Sequence, residues 1–249
     1  MDRNRLEFNL QKKLDFKLLQ AMRDYRLIED GDHVLIGVSG GKDSLALAEL
    51  LAKRSRILKP KFTVSAVHVV MTNISYESDN SYLEHFFAQL NIPLYIKETS
   101  FDLATGKGKT PCFLCSWNRR KELFNLAKEL GCNKIALGHH MDDVLATLLM
   151  NMTFQGSFST MPPLLSMDKF DMKIIRPLCL IEEKDLVTLA SLRGYKKQVK
   201  NCPYEKETNR KVMGDILKNI EKISPEAKYS LWASMSNIRK ELLPQKIED

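Results

Sequence analysis

The sequence predicts an α/β fold: a doubly wound, mainly parallel five-stranded sheet, with an N-terminal helix before it and a helical C-terminal extension after it. Three observations carry this. Short apolar runs rich in Val, Ile and Leu recur between His33 and Leu178, with stretches of helical length between them. Alternating strands and helices build a parallel sheet covered on both faces, and right-handed crossovers wind it in both directions. A polar Ser-Gly-Gly turn follows the first run directly, at the sheet edge where such folds take their ligands.

The elements follow in order. Leu6, Leu10, Leu14, Leu18 and Met22 repeat at helical spacing and define an amphipathic first helix. His33–Val38 is a buried strand, and Thr63–Val70, Pro93–Ile96, Lys134–Gly138 and Ile174–Leu178 are the next four. Helices lie between them over Ser44–Leu58, Asn80–Leu90, Asn118–Leu130 and Asp143–Phe154. Beyond Glu182 the pattern is helical to the end, and Ser224-Pro225-Glu226 opens a late helix. Its stripe of Leu231, Trp232, Met235 and Ile238 packs on the domain or on a second subunit, as in a homodimer. The chain thus divides into an N-terminal helix (1–28), an α/β domain (29–195) and a basic helical extension (196–249). Two loops, 99–111 and 155–163, follow predicted elements where mobile functional loops lie.

Composition narrows the class. Apolar residues make up 44% and charged residues 28%, which excludes a disordered or collagen-like chain. No apolar run approaches the roughly 18 residues of a membrane helix, and Met1–Lys13 lacks the apolar core of a secretory signal. A cytoplasmic protein with no membrane partner is expected. Five cysteines, an odd number with one close pair, point to metal or redox use in a reducing compartment rather than to a disulfide framework. The net charge of +7 is concentrated: residues 193–246 hold 13 Lys/Arg against 6 Asp/Glu, and the rest of the chain holds 25 of each sign. A positive segment of this kind attracts phosphate backbones.

The chemistry centres on Ser39-Gly40-Gly41-Lys42-Asp43-Ser44, between a strand and a helix. Two glycines let the backbone approach a ligand closely, helix N–H groups point at an anion, and Lys42 and the serines add donors. A Walker loop needs Ser or Thr after Gly-Lys, where Asp43 stands, and a dinucleotide fingerprint is absent. The hexapeptide resembles the pyrophosphate loop of the PP-loop ATPase superfamily, which has a HUP-like fold. That resemblance implies cleavage of ATP between its α and β phosphates, adenylation of a substrate oxygen, and a role for Asp43 in placing Mg²⁺.

A second cluster, Gly138-His139-His140-Met141-Asp142-Asp143, lies between the fourth strand and a helix. One carboxylate there serves equally well as a helix cap, and of the adjacent histidines one packs while the other faces the site. The cluster resembles the second signature of RNA-modifying PP-loop enzymes.

Cys112 and Cys115 form a Cys-x-x-Cys whose sulfurs can reach one metal centre, with Arg119, Arg120 and Lys121 close behind. Cys132 and Cys179 read as small core residues. Cys202 lies in a polar segment with no packing reason for a thiol, and is the candidate third ligand. Three thiolates make a poor closed zinc site but can hold a four-iron cluster with one iron open; zinc completed by His139 or His140 is the alternative.

Taken together, GDHVLIGVSGGKDSLAL, PCFLCSWNRR, KIALGHHMDDVLATLLMN, FQGSFSTMPPLL, IIRPL and the late Cys202 resemble the tRNA 2-thiocytidine synthetases of the TtcA type, from about Lys12 to Arg210. The resemblance implies a [4Fe-4S] cluster on Cys112, Cys115 and Cys202. It implies ATP bound by Ser39, Gly40, Gly41, Lys42, Asp43, Ser44, His68, Gly138 and Asp142, and catalysis by Lys42, Asp43, Asp142 and Arg119. The substrate would be a tRNA cytidine, at position 32 of the anticodon loop, with sulfur from a cysteine desulfurase or free sulfide. Two positions depart from the family: Met141 stands where many relatives have Arg, and Pro-Tyr-Glu-Lys-Glu follows Cys202 where many have a second Cys-x-x-Cys. The alternatives are a tRNA 2-thiouridine synthetase, a lysidine-type tRNA ligase, and a non-catalytic Fe–S or Zn RNA-binding module.

Overall fold

The computed structural model describes residues 3–74, 76–77, 80–103, 108–167, 172–196, 199–200, 202, 204 and 209–244. Residues 104–107, within the first of the two singled-out loops, lie outside this set.

The described elements are α1 (Arg3–Asp24), β1 (His33–Val38), α2 (Lys42–Ser55), β2 (Thr63–Met71), β3 (Tyr76–Glu77), α3 (Asn80–Leu90), β4 (Leu94–Thr99), α4 (Pro111–Glu129), β5 (Lys134–Ala136), α5 (Met141–Gln155), β6 (Leu164–Ser166), β7 (Lys173–Ile175), α6 (Glu183–Arg193), β8 (Val199–Lys200), α7 (Asn209–Ile223) and α8 (Ala227–Ser234), with a 3₁₀ turn at Lys240–Leu242. The main sheet runs β4-β2-β1-β5-β7-β6. The pairs among β4, β2, β1, β5 and β7 are parallel, and β6 runs antiparallel to β7 at the edge.

The expected five-stranded sheet therefore gains a sixth strand, and β3 and β8 pair separately. β6 escapes sequence reading because it is three residues behind Pro162-Pro163, too short for a period to show. The fifth expected strand is also cut short. Pro177 has no N–H to donate, and Arg176 already gives its own N–H to the Pro163 carbonyl at 2.8 Å.

Alternation along β1 divides the sheet faces. Leu35 packs with Leu126 and Ala127 of α4, so Val34 and Ile36 point to the opposite face. Gly37 shares the α4 face, where a Cβ would meet the Leu137 and Leu123 side chains at 3.0 and 3.1 Å. From β1 the chain winds outward to β2 and β4, then returns past them through α4 to β5 and β7. The direction of winding therefore reverses between β1 and β5, which is the ligand-binding crevice of an open parallel sheet.

Two compact units emerge: residues 1–141 with 162–206, and residues 142–161 with 207–249. The first holds the whole sheet. Its N-terminal helix is fastened by Arg193 of α6, which bonds Glu49 of α2 at 2.8 Å, Gln11 of α1 at 3.0 Å, and Glu7 of α1. The second unit contains nearly all of α5 together with α7 and α8. There Met213 and Leu217 bury the apolar face of α7, and Thr153 of α5 donates to the Met213 sulfur at 3.9 Å.

The late helix is shorter than its apolar stripe suggests: α8 stops at Ser234, and Met235 and Ile238 lie beyond it. Ser234 and Ser236 turn their hydroxyls back onto the Leu231 and Ala233 carbonyls, a local alternative to helical bonding. Among the described residues, no helix is long and apolar enough to cross a membrane.

Candidate functional site

The turn after β1 is built for an anion. Gly40 takes a φ of 77°, a left-handed conformation that favours glycine. Gly41 caps α2 without a side-chain hydrogen bond, so the first-turn N–H groups carry no side-chain cap from it. The Ser39 hydroxyl lies 3.3 Å from both the Gly41 N–H and the Ser44 hydroxyl, and Ser44 donates to the Gly41 carbonyl at 2.9 Å. The loop is thus braced by its own serines.

Lys42 reaches Asp43 at 3.0 Å and Glu183, in the first turn of α6, at 3.2 Å. Burial alone would lower its pKa, but the two carboxylates outweigh that effect and hold it above the ordinary lysine value. Glu183 was not among the sequence candidates. An acidic residue in the first turn of a helix reads as a dipole partner, and only the fold brings it to the loop.

His68 pairs in register with Val38, the last residue before the loop, and is buried. Its Nδ1 lies 2.8 Å from the Val38 carbonyl; because a carbonyl only accepts, Nδ1 carries the hydrogen. His68 therefore fixes the root of the loop. Gly138, after β5, touches the loop from the far side of the crevice. A Cβ there would stand 3.0 Å from the Asp43 carbonyl carbon and 3.1 Å from the Ser44 nitrogen. The segment after β5 and the first turn of α2 meet backbone to backbone, which only glycine allows.

His140 is buried and His139 half-buried. Asp142 belongs to the second unit, where it forms an ion pair with Lys228 at 2.8 Å. Lys228 also reaches Glu221 at 2.8 Å and is itself buried. No periodicity marks Lys228 in the sequence, since a lysine on a short helix reads as solvated.

The cysteines separate into two kinds. Burial pushes the Cys132 thiol up to about 11 and the Cys179 thiol up to about 12, so both are inert core residues. Cys112 and Cys115 sit in the first two turns of α4, which starts at Pro111 rather than near Asn118. Thr110 caps it, accepting from the Phe113 N–H at 3.3 Å, and proline suits the first helical position.

Cys115 and Cys202 pack against one small core of Met71, Ile74 and Phe101. The Cys112 thiol donates to the carbonyl of Tyr204, two residues past Cys202, at 3.4 Å. Three thiols from two distant parts of the chain are thereby gathered beyond the carboxyl ends of β2 and β4. Arg119 stands beside Cys202: burial lowers the guanidinium pKa below its ordinary value, and the Cys202 sulfur acts in the opposite sense. The positive end of α4 and Arg119 both favour a negatively charged occupant.

Among the described residues, no three His, Cys, Asp or Glu side chains crowd together as tightly as a single metal ion requires. An iron–sulfur cluster offers a different iron to each thiolate, and a set of soft sulfur donors suits it. Asp43 supplies the hard oxygen that Mg²⁺ prefers, next to the phosphate loop.

A PP-loop domain family matches residues 10–229. The tRNA-cytidine(32) 2-sulfurtransferase of Acinetobacter baylyi is 38% identical over 237 residues, covering 93% of this chain and 78% of that protein. The enzyme of the same name from Neisseria meningitidis serogroup A is 36% identical, covering 92% and 73%. Among solved structures, the U34-tRNA thiolase NcsA from Methanococcus maripaludis, with its [4Fe-4S] cluster, superposes with a TM-score of 0.73 at 28% identity, covering 93% of this chain and 79% of that one. With this loop, this crevice and this extent of likeness, the chain belongs to the PP-loop ATPases, in the family of the tRNA-cytidine(32) 2-sulfurtransferases.

Proposed function

We propose that this protein thiolates a cytidine in the anticodon loop of tRNA, at position 32, using ATP to activate the 2-oxygen and sulfur to replace it. One observation carries the reading: the phosphate loop and the three gathered cysteines stand at the same carboxyl edge of one sheet, the loop at the end of β1 and the cysteines beyond β2 and β4. Activation and replacement can then act on one base. The names of the relatives supply the base and its position.

The phosphates of ATP lie on Ser39–Ser44, where N–H groups, the serine hydroxyls and Lys42 meet their charge. The cytidine 2-oxygen attacks the α-phosphorus; an oxygen–phosphorus bond forms and pyrophosphate leaves. Lys42 stabilises the charge that develops on the departing group. Mg²⁺ held by Asp43 would neutralise phosphate charge. Free sulfide attacks C2, and AMP leaves with the original oxygen; persulfide sulfur from a cysteine desulfurase would first need two electrons from a thiol reductant to reach the same oxidation level. A [4Fe-4S] cluster on Cys112, Cys115 and Cys202 would supply an open iron for that sulfur. Arg119 neutralises the AMP phosphate. The target base must be unstacked, which favours a loop nucleotide.

Mass spectrometry of tRNA nucleosides after reaction with ATP and sulfide tests this. The expected product is 2-thiocytidine; a thiolated uridine in its place, the base in the name of the U34-tRNA thiolase, would overturn the assignment. Asp43→Ala should abolish tRNA-dependent release of pyrophosphate. Anaerobically prepared Cys202→Ala should lose its iron and its thiolation activity, while Cys132→Ser keeps both.

A further inference from the structure

The exposed side of α4 carries a feature that ATP and sulfur chemistry leave unused. Lys109, Phe113, Trp117 and Lys121 follow one another at intervals of four, the spacing that stacks side chains along one helix face. Both rings are open to solvent, Phe113 at 48% and Trp117 at 52% exposure. Each has a lysine over it, with Lys109 5.1 Å from the centre of Phe113 and Lys121 5.9 Å from the centre of Trp117. Arg120 is exposed beside them, and residues 111–121 contain no Asp or Glu.

Two large aromatics in line on an exposed helix face, flanked by lysines, form a contiguous patch of the kind that marks an interaction surface. Exposed rings, each with a lysine over one face, match a single-stranded nucleic acid, whose bases stack on rings while its phosphates draw the lysines onto themselves. Phe113 also follows Cys112 directly, so the ladder begins at the exposed cysteine of the triad.

We propose that Phe113 and Trp117 are a stacking platform for unstacked nucleotides of the RNA substrate, with Lys109, Arg120 and Lys121 on its phosphates. The proposal rests on the tRNA reading above and adds the residues that hold the loop open next to the thiolation site. The platform binds nucleotides that flank the target, and takes no part in breaking or forming bonds.

Fluorescence titration tests it, because Trp117 and Trp232 are the two tryptophans of the chain. In Trp232→Phe, a synthetic anticodon stem–loop RNA should quench Trp117 on binding, and the same stem closed without unpaired nucleotides should not. Trp117→Ala and Phe113→Ala should each weaken the Kd for the stem–loop by about fivefold or more. Trp117→Phe should recover most of the affinity, because it restores a ring without restoring the indole. Lys121→Ala should lower the salt dependence of binding by about one counterion.

Quenching that is absent while RNA binds, or alanine variants within twofold of the parent, would overturn the platform and leave the thiolation reading standing. Failure of the parent protein to bind any tRNA would overturn both. Loss of a dimer in Trp117→Ala, with RNA affinity unchanged, would overturn the proposal in favour of contact with a second copy of the chain.

Discussion

At the scale of single residues, the loop is held by atoms that have no room to move. Gly138 is the sharpest case. A methyl group there meets the backbone of Asp43 and Ser44, and backbone cannot swing aside as a side chain can. Gly138→Ala should therefore leave the protein folded but reduce ATP-dependent pyrophosphate release by about tenfold or more, since small displacements of a reacting group are costly. Release measured with saturating tRNA checks this, and activity within twofold of the parent would refute it. Gly138 was legible as a candidate because it precedes a strand-ending histidine pair, yet its steric role was not, for no spacing reveals which backbone lies opposite. Cys202 was legible for the reverse reason: its polar neighbours gave a thiol nothing to pack against in the local sequence. The packing it does have, against Met71, Ile74 and Phe101, comes from two other strand ends. Glu183 and Lys228 went unread because a charge on a helix looks solvated until its partner is known.

At the scale of elements, α4 carries most of the site on one helix. Its first two turns present Cys112 and Cys115, its next turn presents Arg119, and its outer face presents the two rings. The start of this helix therefore governs the placement of all of them. Thr110 and Pro111 set that start, although the sequence pattern suggests a helix only from Asn118, where apolar periodicity becomes regular. Capping chemistry was present in the sequence but outweighed by the lack of a buried face, since Cys112 and Phe113 are exposed. Thr110→Ala should cost about 1 kcal/mol and fray the first turn. A lowered melting temperature together with faster loss of iron to a chelator is expected. A chelation rate equal to that of the parent would show that the cysteines do not depend on the cap.

At the scale of the molecule, the alternation of strand and helix was sufficient to place the crevice, because handedness leaves few ways to wind a parallel sheet. The antiparallel edge and the small β3–β8 pair were hidden by their length. The second unit is organised around a buried cation: Lys228 joins the start of α5 to the end of α7 through Asp142 and Glu221. Lys228→Met should destabilise that unit by about 1 to 3 kcal/mol, because a buried ammonium gives up its ion pairs with two partly buried carboxylates. Faster amide exchange in α5, α7 and α8 than in the sheet would show it. The sign with pH is fixed by the same pair of carboxylates. Burial opposes the charge of Lys228, but they override it and raise its pKa above the ordinary lysine value. The ion-pair stabilisation is therefore complete below the ordinary lysine range, near pH 10.4, and fades only as the solution becomes more alkaline than that. The difference in stability between parent and variant should be level from pH 7 to pH 9.

The engagement of Lys42 by Asp43 and Glu183 has a consequence for what can settle on the glycine turn. A visitor bearing one negative charge meets an ammonium already balanced twice over, and finds little to attract it. A polyphosphate tail carries more charge with which to compete for the lysine. Chloride or acetate should therefore displace a bound nucleoside triphosphate poorly, which a competition titration checks.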